Sequence, residues 1–337
     1  MQQSLKKIQE VQPGELSHLL KSHYTDLMAV FYEMQSEFLT GIYKRYNGIQ
    51  TANIILCFAK NTHLEIIRQR EKNLNFDISL DKFWDNFTKV TRPLEKISDI
   101  VNYTKIPKET VRRKIKNLVN EGSLLSYKNT KGYAWNIMAK EKDHYFKIVS
   151  QEIKFLAKFI SKFSYALNLN LETKVVEKEI RSQFSFYWFH FLSCQLDFLK
   201  IYQLKIKDTD LLLIILQALI PVLQYVDKKS VKNTNLEDLF QIIGKTNEKY
   251  DLCNASITAT AVSEITAIPR ATCIRKLEKL VLLGFLNRAT GKKGYCVNQD
   301  INGRTKNILS KDNVNFTIEI FSQYLAIIFN SLIFYKK

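Results

Sequence analysis

The chain has 337 residues, of which 46% are hydrophobic and 25% charged, and a formal net charge of +17. That length accommodates two compact domains, each with its own core, and the scarcity of breakers, 10 Gly and 5 Pro, disfavours a strand-rich fold. The five cysteines (Cys57, Cys194, Cys253, Cys273 and Cys296) form neither CxxC nor a zinc-type spacing with histidine; no metal site is expected, and an odd, scattered set fits the reduced thiols of a cytosolic protein.

The first residues, MQQSLKKIQEVQPGEL, lack the apolar run of a signal peptide, so export is not expected and a cytoplasmic location is. Apolar residues from Leu19 through Leu27, Phe31, Phe38 and Ile42 keep helical spacing and predict one long amphipathic helix over 15–46. Further helices are predicted over 51–70 and 80–90, with Thr91-Arg92-Pro93 as a breaker. After the segment described next, helical periodicity returns over 145–163. The second half follows the same order: an aromatic-rich helix over 175–205, an apolar one over 208–226, a short one over 236–244 and a closing one over 314–334. The run Leu211 to Val226 is shorter than a membrane span needs and contains Gln217 and Pro221, so it reads as a core helix. Asn168 to Thr173 is the expected junction, dividing the chain into domains 1–170 and 171–337.

One segment is written twice. Thr104 to Asn136 and Thr266 to Asn298 align without a gap at an offset of 162, and both keep Thr, Ile-Pro, Thr, Arg-Lys, Leu-Val, Gly, Leu and Lys-Gly-Tyr in register. In the first copy, Ile97 to Tyr103 predicts a helix, Thr104-Lys105-Ile106 a turn, and Pro107 the opening of a second helix. On that helix Val111, Ile115, Leu118 and Val119 share a packing face, while Thr110, Arg113, Lys114 and Asn117 share the outward one. Gly122 stops the helix, and residues 123–127 and 132–137 predict a hairpin with a basic tip. The second copy has Cys273, Leu277, Leu280 and Val281 facing inward, Thr272, Arg275, Lys276 and Lys279 facing outward, Gly284 as the stop, and a tip from Arg288 to Lys293.

Positive charge is concentrated on these copies. From Val101 to Trp135 eight lysines and arginines face two glutamates, and from Ser263 to Val297 seven face two. A general Lys-rich bias explains a basic chain but not such a focus, which suits a phosphate-binding surface. Arg113 and Arg275 stand mid-helix, where a guanidinium reaches guanine N7 and O6 or clamps a phosphate. Lys108, Thr110, Arg270 and Thr272 near the helix starts suit backbone phosphates; Arg112, Lys114, Asn117, Lys276 and Lys279 complete the two faces. The hairpin cations Lys128, Lys131, Arg288, Lys292 and Lys293 suit phosphates or an adjacent minor groove.

These residues resemble the winged helix-turn-helix of bacterial transcriptional regulators of the MarR, IclR and GntR kind, in which a segment like Ile106 to Arg113 opens the recognition helix and one like Leu118 to Gly122 ends it. The resemblance implies a mainly α fold of two tandem winged helix-turn-helix domains, at about 94–137 and 256–299, with small β-hairpin wings and long flanking helices. It implies a sequence-specific, nucleoid-associated regulator of double-stranded DNA; separately, no catalysis, cofactor or membrane partner is expected. The element order looks most like MarR proteins, which dimerise through terminal helices. Two copies in one chain depart from that pattern and suggest a dimer fused end to end, acting as a monomeric pseudo-dimer or pairing further as a homodimer. A plasmid-type replication initiator and a tandem winged-helix scaffold for protein partners remain alternatives. The aromatics Phe184, Phe186, Tyr187, Trp188, Phe189 and Phe191, with His190, suit core packing better than a pocket for a small-molecule effector. Cys273 and Cys296 read as buried apolar side chains rather than a redox pair. No GxSxG, P-loop, GxGxxG or HExxH is present.

Overall fold

The computed structural model describes residues 10–230, 233–244, 250–289, 294–299 and 310–335. Its first half runs α1 (Pro13–Ser22), α2 (Tyr24–Tyr46), α3 (Ile49–Lys72), α4 (Leu80–Lys89), α5 (Ile97–Thr104), α6 (Lys108–Asn120), β1 (Leu124–Tyr127), β2 (Gly132–Trp135) and α7 (Lys142–Ala166). The second half runs α8 (Thr173–Ser182), α9 (Phe184–Ile206), α10 (Asp210–Lys229), α11 (Leu236–Gly244), α12 (Ala259–Thr266), α13 (Arg270–Leu282), β3 (Leu286–Arg288), β4 (Tyr295–Val297) and α14 (Lys311–Tyr335). The protein is mainly helical, as expected, and the correspondence extends over whole halves. The pairs α1/α8, α2/α9, α5/α12, α6/α13 and α7/α14 match in length at 10, 23, 8, 13 and 25 residues.

The residues that recur in both copies each do one local job. Thr104 Oγ1 donates to the Ile100 carbonyl and accepts from Ile106 N–H, and Thr266 does the same between Val262 and Ile268. These bonds close the turn that Lys105 (φ 57°) and Ala267 (φ 58°) make in the left-handed region. Gly122 (φ 80°) and Gly284 (φ 76°) end α6 and α13 at values that suit glycine. The Asn136 and Asn298 amides donate to the Gly122 and Gly284 carbonyls at 2.7 and 2.9 Å, tying the far end of each hairpin to its helix stop.

Three features differ from the sequence expectation. The long helix predicted over 15–46 breaks at His23 (φ −112°, ψ 44°), and that predicted over 175–205 breaks at Gln183 (φ −113°, ψ 40°). The apolar spacing runs through both breaks because the short and long pieces each bury a stripe, against different neighbours. Each hairpin also gains a third, one-residue strand: Glu95 bridges Tyr133 and Ile257 bridges Tyr295, again 162 apart. Finally, α10 and α14 are long and apolar enough to cross a membrane, but 67% and 56% of their apolar windows are buried inside the protein.

The two halves interlock. α3 packs on α9 and α10 on α2; α7 packs on α8 and α14 on α1. Such reciprocal contacts define a pseudo-twofold relation, as at an isologous dimer interface. Buried apolar side chains from both halves form one continuous cluster, so the expected pair of separate cores is replaced by a shared one. Gln35 on α2 and Gln195 on α9, both fully buried, exchange amide hydrogen bonds of 3.1 and 2.6 Å across the pseudo-axis. The Thr25 N–H donates to the Thr234 carbonyl, and its counterpart Ser185 N–H donates to the Ile78 carbonyl.

One charge is buried inside the first half. The Glu152 carboxylate on α7 approaches α2 at Gly41, where a Cβ would stand 3.2 Å from Oε1, so the glycine makes room for it. Glu152 is 8% exposed, and its Oε1 has no hydrogen-bond partner among the described residues. Burial pushes its pKa from 4.5 up to about 7, against the pull of Arg45.

Two predictions follow from this packing. Gln35→Ala or Gln195→Ala alone strands a buried amide and should cost about 1 to 3 kcal/mol in urea denaturation, whereas Gln35→Leu with Gln195→Leu should be close to neutral; equal costs for single and double replacement would show that the amides are not paired. For Glu152, a folded-state pKa above the unfolded value means that stability is fully present below pH 4.5 and lost as pH rises through about 7. Thermal midpoints measured from about pH 4 to about pH 8.5 should therefore fall more in the wild-type chain than in Glu152→Gln.

Candidate nucleic-acid interface

Both copies of the repeated segment sit at the same end of the molecule. α3 and α10 begin side by side there: Ile49 N–H donates to Asp210 Oδ1 at 3.0 Å, and the Gln50 amide donates to Gln203 Oε1 and the Lys207 carbonyl. α6 docks on the start of α3 through Lys114, whose ammonium donates to Thr51 Oγ1 at 2.7 Å. Its repeat counterpart Lys276 docks α13 on the start of α10, with Nζ 2.7 Å from Asp208 Oδ1 and 3.8 Å from Asp210 Oδ2. Between them lies a polar cleft of 310 Å³ lined by Gly48, Gln50, Lys114, Asp208, Thr209 and Asp210.

This placement corrects part of the outward face. Lys276 is buried and Lys114 half-buried, because each follows an inward residue (Val111, Cys273) by three positions and lies on the flank of the packed stripe. Burial holds the Lys114 ammonium below its usual pKa, partly offset by Asp210. Thr110 and Thr272 are half-buried as well. The packing faces themselves stand as expected: Val111, Ile115, Leu118, Cys273, Leu277 and Leu280 are buried, with Val119 and Val281 partly so.

On the first copy Lys108, Arg112, Arg113 and Asn117 are exposed on α6, and Lys128 and Lys131 are exposed at the hairpin tip. Lys116, which the sequence reading did not single out, joins the exposed row one turn beyond Arg112 and Arg113. Arg112 pairs with Glu109 at 3.1 Å on the open surface, a weak tie; no described residue pairs with Lys108, Arg113 or Lys116. Tyr127, 41% exposed on β1, lies beside the tip.

The second copy carries its cations differently. Lys279 is exposed but stands 3.4 Å from Asp208 Oδ2, so one carboxylate holds two of the helix's lysines. Burial raises the Asp208 pKa, but the two lysines outweigh it and hold the carboxyl below its usual range. Arg288 on β3 makes a two-point contact with Glu278, at 3.2 and 2.7 Å, and the Tyr295 hydroxyl donates to the same carboxylate at 2.8 Å. Glu278 occupies the position of Lys116. Arg270 donates to Thr260 Oγ1 at 3.1 Å, and Arg275 is exposed with no described partner. Lys292 and Lys293 lie outside the described residues. Leu282, where the first copy has Asn120, is 77% exposed. A cleft of 520 Å³ between α12, α13 and the hairpin is lined by Thr258, Thr260, Arg270, Ile274, Arg288 and Tyr295.

The other residues weighed from sequence fall mostly into the core. Phe184, Tyr187, Trp188 and Phe191 are buried; Phe189 and His190 are half-buried, and burial lowers the His190 pKa. Phe186 instead lines an open apolar groove of 620 Å³ with Ile67, Leu74 and Ile78. Cys273 and Cys296 are buried; the thiol beside Cys296 is Cys253, and burial foremost pushes Cys296 up to about 12, the opposite of an activated thiolate. Among the described residues no group of three or more His, Cys, Asp or Glu is placed to hold a metal.

No known family model, curated protein or solved structure matches this chain.

The docking role of Asp208 is open to direct measurement. Asp208→Asn leaves the buried Lys276 ammonium with only the more distant Asp210 and should lower stability by about 1 to 2 kcal/mol in urea denaturation, less than for a fully buried pair because Asp208 is half-exposed. An unchanged midpoint would mean that α13 is not anchored through this carboxylate.

Proposed function

We propose that the protein is a sequence-specific double-stranded DNA-binding transcriptional regulator, in which each α5–α6 or α12–α13 unit with its hairpin acts as a winged helix-turn-helix head and the two heads form a MarR-like pseudo-dimer in one chain. The observation that carries this reading is the exposed, largely unpaired cationic row of α6 and the first hairpin, Lys108, Arg112, Arg113, Lys116, Lys128 and Lys131, opposite a fully packed apolar face. Phosphates would neutralise Lys108, Lys116 and the hairpin lysines, while Arg113, with Asn117 one turn on, reads base edges in a major groove.

The heads are unequal partners in this reading. In the second, Asp208 and Glu278 engage three of the five described cations (Arg270, Arg275, Lys276, Lys279 and Arg288), leaving Arg275 and Arg270 as its main contacts. The first head therefore supplies most of the affinity, and the target is an imperfect two-part site whose halves are about 34 Å apart on successive major grooves. A protein-binding role for the second head is the alternative that one observation favours, namely the exposed Leu282 on α13.

Selection of the full chain on random duplexes at two salt concentrations, with sequencing of the retained fraction, tests the proposal. A two-part motif with steeply salt-sensitive retention is expected; absence of retention would overturn it. On the selected site Arg113→Ala should weaken specific binding by about 1 to 3 kcal/mol. Glu278→Lys, which installs the first head's charge and releases Arg288, should tighten binding and steepen its salt dependence by about one to two phosphates' worth. A Glu278→Lys chain that binds no better would remove the second head from the duplex.

A further inference from the structure

The second unit is fastened to the helical body at two places, and a cysteine from each side stands between them. A 3₁₀ turn, Leu252–Ala255, packs on α10 and on β4, with Leu252 and Ala255 buried. Before the turn, the Tyr250 carbonyl accepts from the Gln299 amide at 2.8 Å; after it, Ile257 and Tyr295 exchange both backbone hydrogen bonds at 2.8 Å. Segments 250–257 and 295–299 therefore run antiparallel and are tied near both ends. Between the ties stand Cys253 in the turn and Cys296 on β4, and their thiols hydrogen-bond to one another. The Asp251 carboxylate holds the Cys253 N–H at 3.0 Å, which fixes the turn at that residue.

Of the five cysteines, Cys253 is the one that is not buried, so a dissolved reagent meets it first, with Cys296 behind it. A metal is a poor use of the pair, because among the described residues no third His, Cys, Asp or Glu joins the two sulfurs. The fold does not require the thiols either. The first unit has the same bridge, between Glu95 and Tyr133, but carries Thr91 and Ala134 at the positions 162 residues before Cys253 and Cys296.

We propose that Cys253 and Cys296 form a reversible disulfide by exchange with a low-molecular-weight disulfide, closing the chain covalently from 253 to 296 around α12, α13, β3 and β4. The Cys253 thiolate attacks the external disulfide, bonds to one of its sulfurs and expels the other as a thiolate. The Cys296 thiolate then attacks Cys253 Sγ, forming the protein disulfide and expelling the second external thiolate. Two protein thiols are oxidised, one external disulfide is reduced, and the two protein protons pass to the departing thiolates. Burial, and next the Cys253 thiol beside it, keep Cys296 protonated, so the second step is the slow one; capping Cys253 in the first step removes the second of these influences. The product staples α12, α13 and their hairpin to the turn that rests on α10. The inference stands apart from the DNA reading, since it rests on two sulfurs and the ties around them.

The test is equilibration of the full chain in oxidised glutathione, followed by acid quenching, intact mass and a non-reducing tryptic map. The mass should fall by two hydrogens, and the peptides Tyr250–Arg270 and Gly294–Arg304 should appear joined. The thermal midpoint should rise by about 3 to 8 °C and return on reduction. Cys253→Ser, at a half-exposed position, should show neither change. Cys253 found only as a glutathione adduct or a free thiol after prolonged exposure would overturn the proposal, as would a link retained in Cys253→Ser. A joined chain with an unchanged midpoint would refute the stapling of the second unit.

Discussion

The arrangement depends on two glutamines facing one another across a pseudo-axis. Gln35 and Gln195 are both fully buried, where an amide is tolerated only when its donor and acceptor are both met. Each meets the other's needs, which fixes α2 and α9 in one relative register. A polar pair in an apolar seam adds little net stability, but it penalises every sliding or rotated packing that separates the amides. From that register the rest follows: α3 lies on α9, α10 on α2, and the starts of α3 and α10 meet at Asp210.

The meeting point of α3 and α10 sets where the two small units, α5–α6 and α12–α13 with their hairpins, stand. Each is anchored by one lysine at equivalent positions, Lys114 and Lys276, yet the anchors differ in kind. The first uses a neutral hydroxyl, Thr51, and leaves its other cations outward. The second uses a carboxylate, Asp208, that also draws in Lys279. Asp208 in the corner between α9 and α10, with Glu278 on α13, thus divides two otherwise similar surfaces into one that is openly cationic and one that is largely self-neutralised.

Much of this was legible in the sequence, and what escaped did so for identifiable reasons. The small units were readable because Thr104, Gly122 and Asn136 and their counterparts each satisfy a local backbone requirement, which leaves a mark at fixed spacing. Their flanking helices were readable from periodicity, although the breaks at His23 and Gln183 were not, since neither carries glycine or proline. Lys114 and Lys276 were misplaced because a residue three positions from an apolar one lies on the border of two faces, and only the neighbouring helix decides which side it takes. The third strands consist of one bridging residue each, too short for any pattern. The interlocking of the halves at Gln35 and Gln195, and the approach of Glu152 to Gly41 within the first half, arise from contacts more than 100 residues apart in sequence, on which local periodicity is silent.

The joining of the halves through residues 167–172 is itself well fastened: the Ser161 and Ser164 hydroxyls hold Leu171 at 2.7 and 2.9 Å, and Leu171 is buried. Two separate chains with this interface would part on dilution, and their paired form would vary with the square of concentration. A covalent pair has no such threshold. The paired arrangement of the halves is present in constant proportion however scarce the protein, and each half is free to diverge from the other without disturbing the stoichiometry.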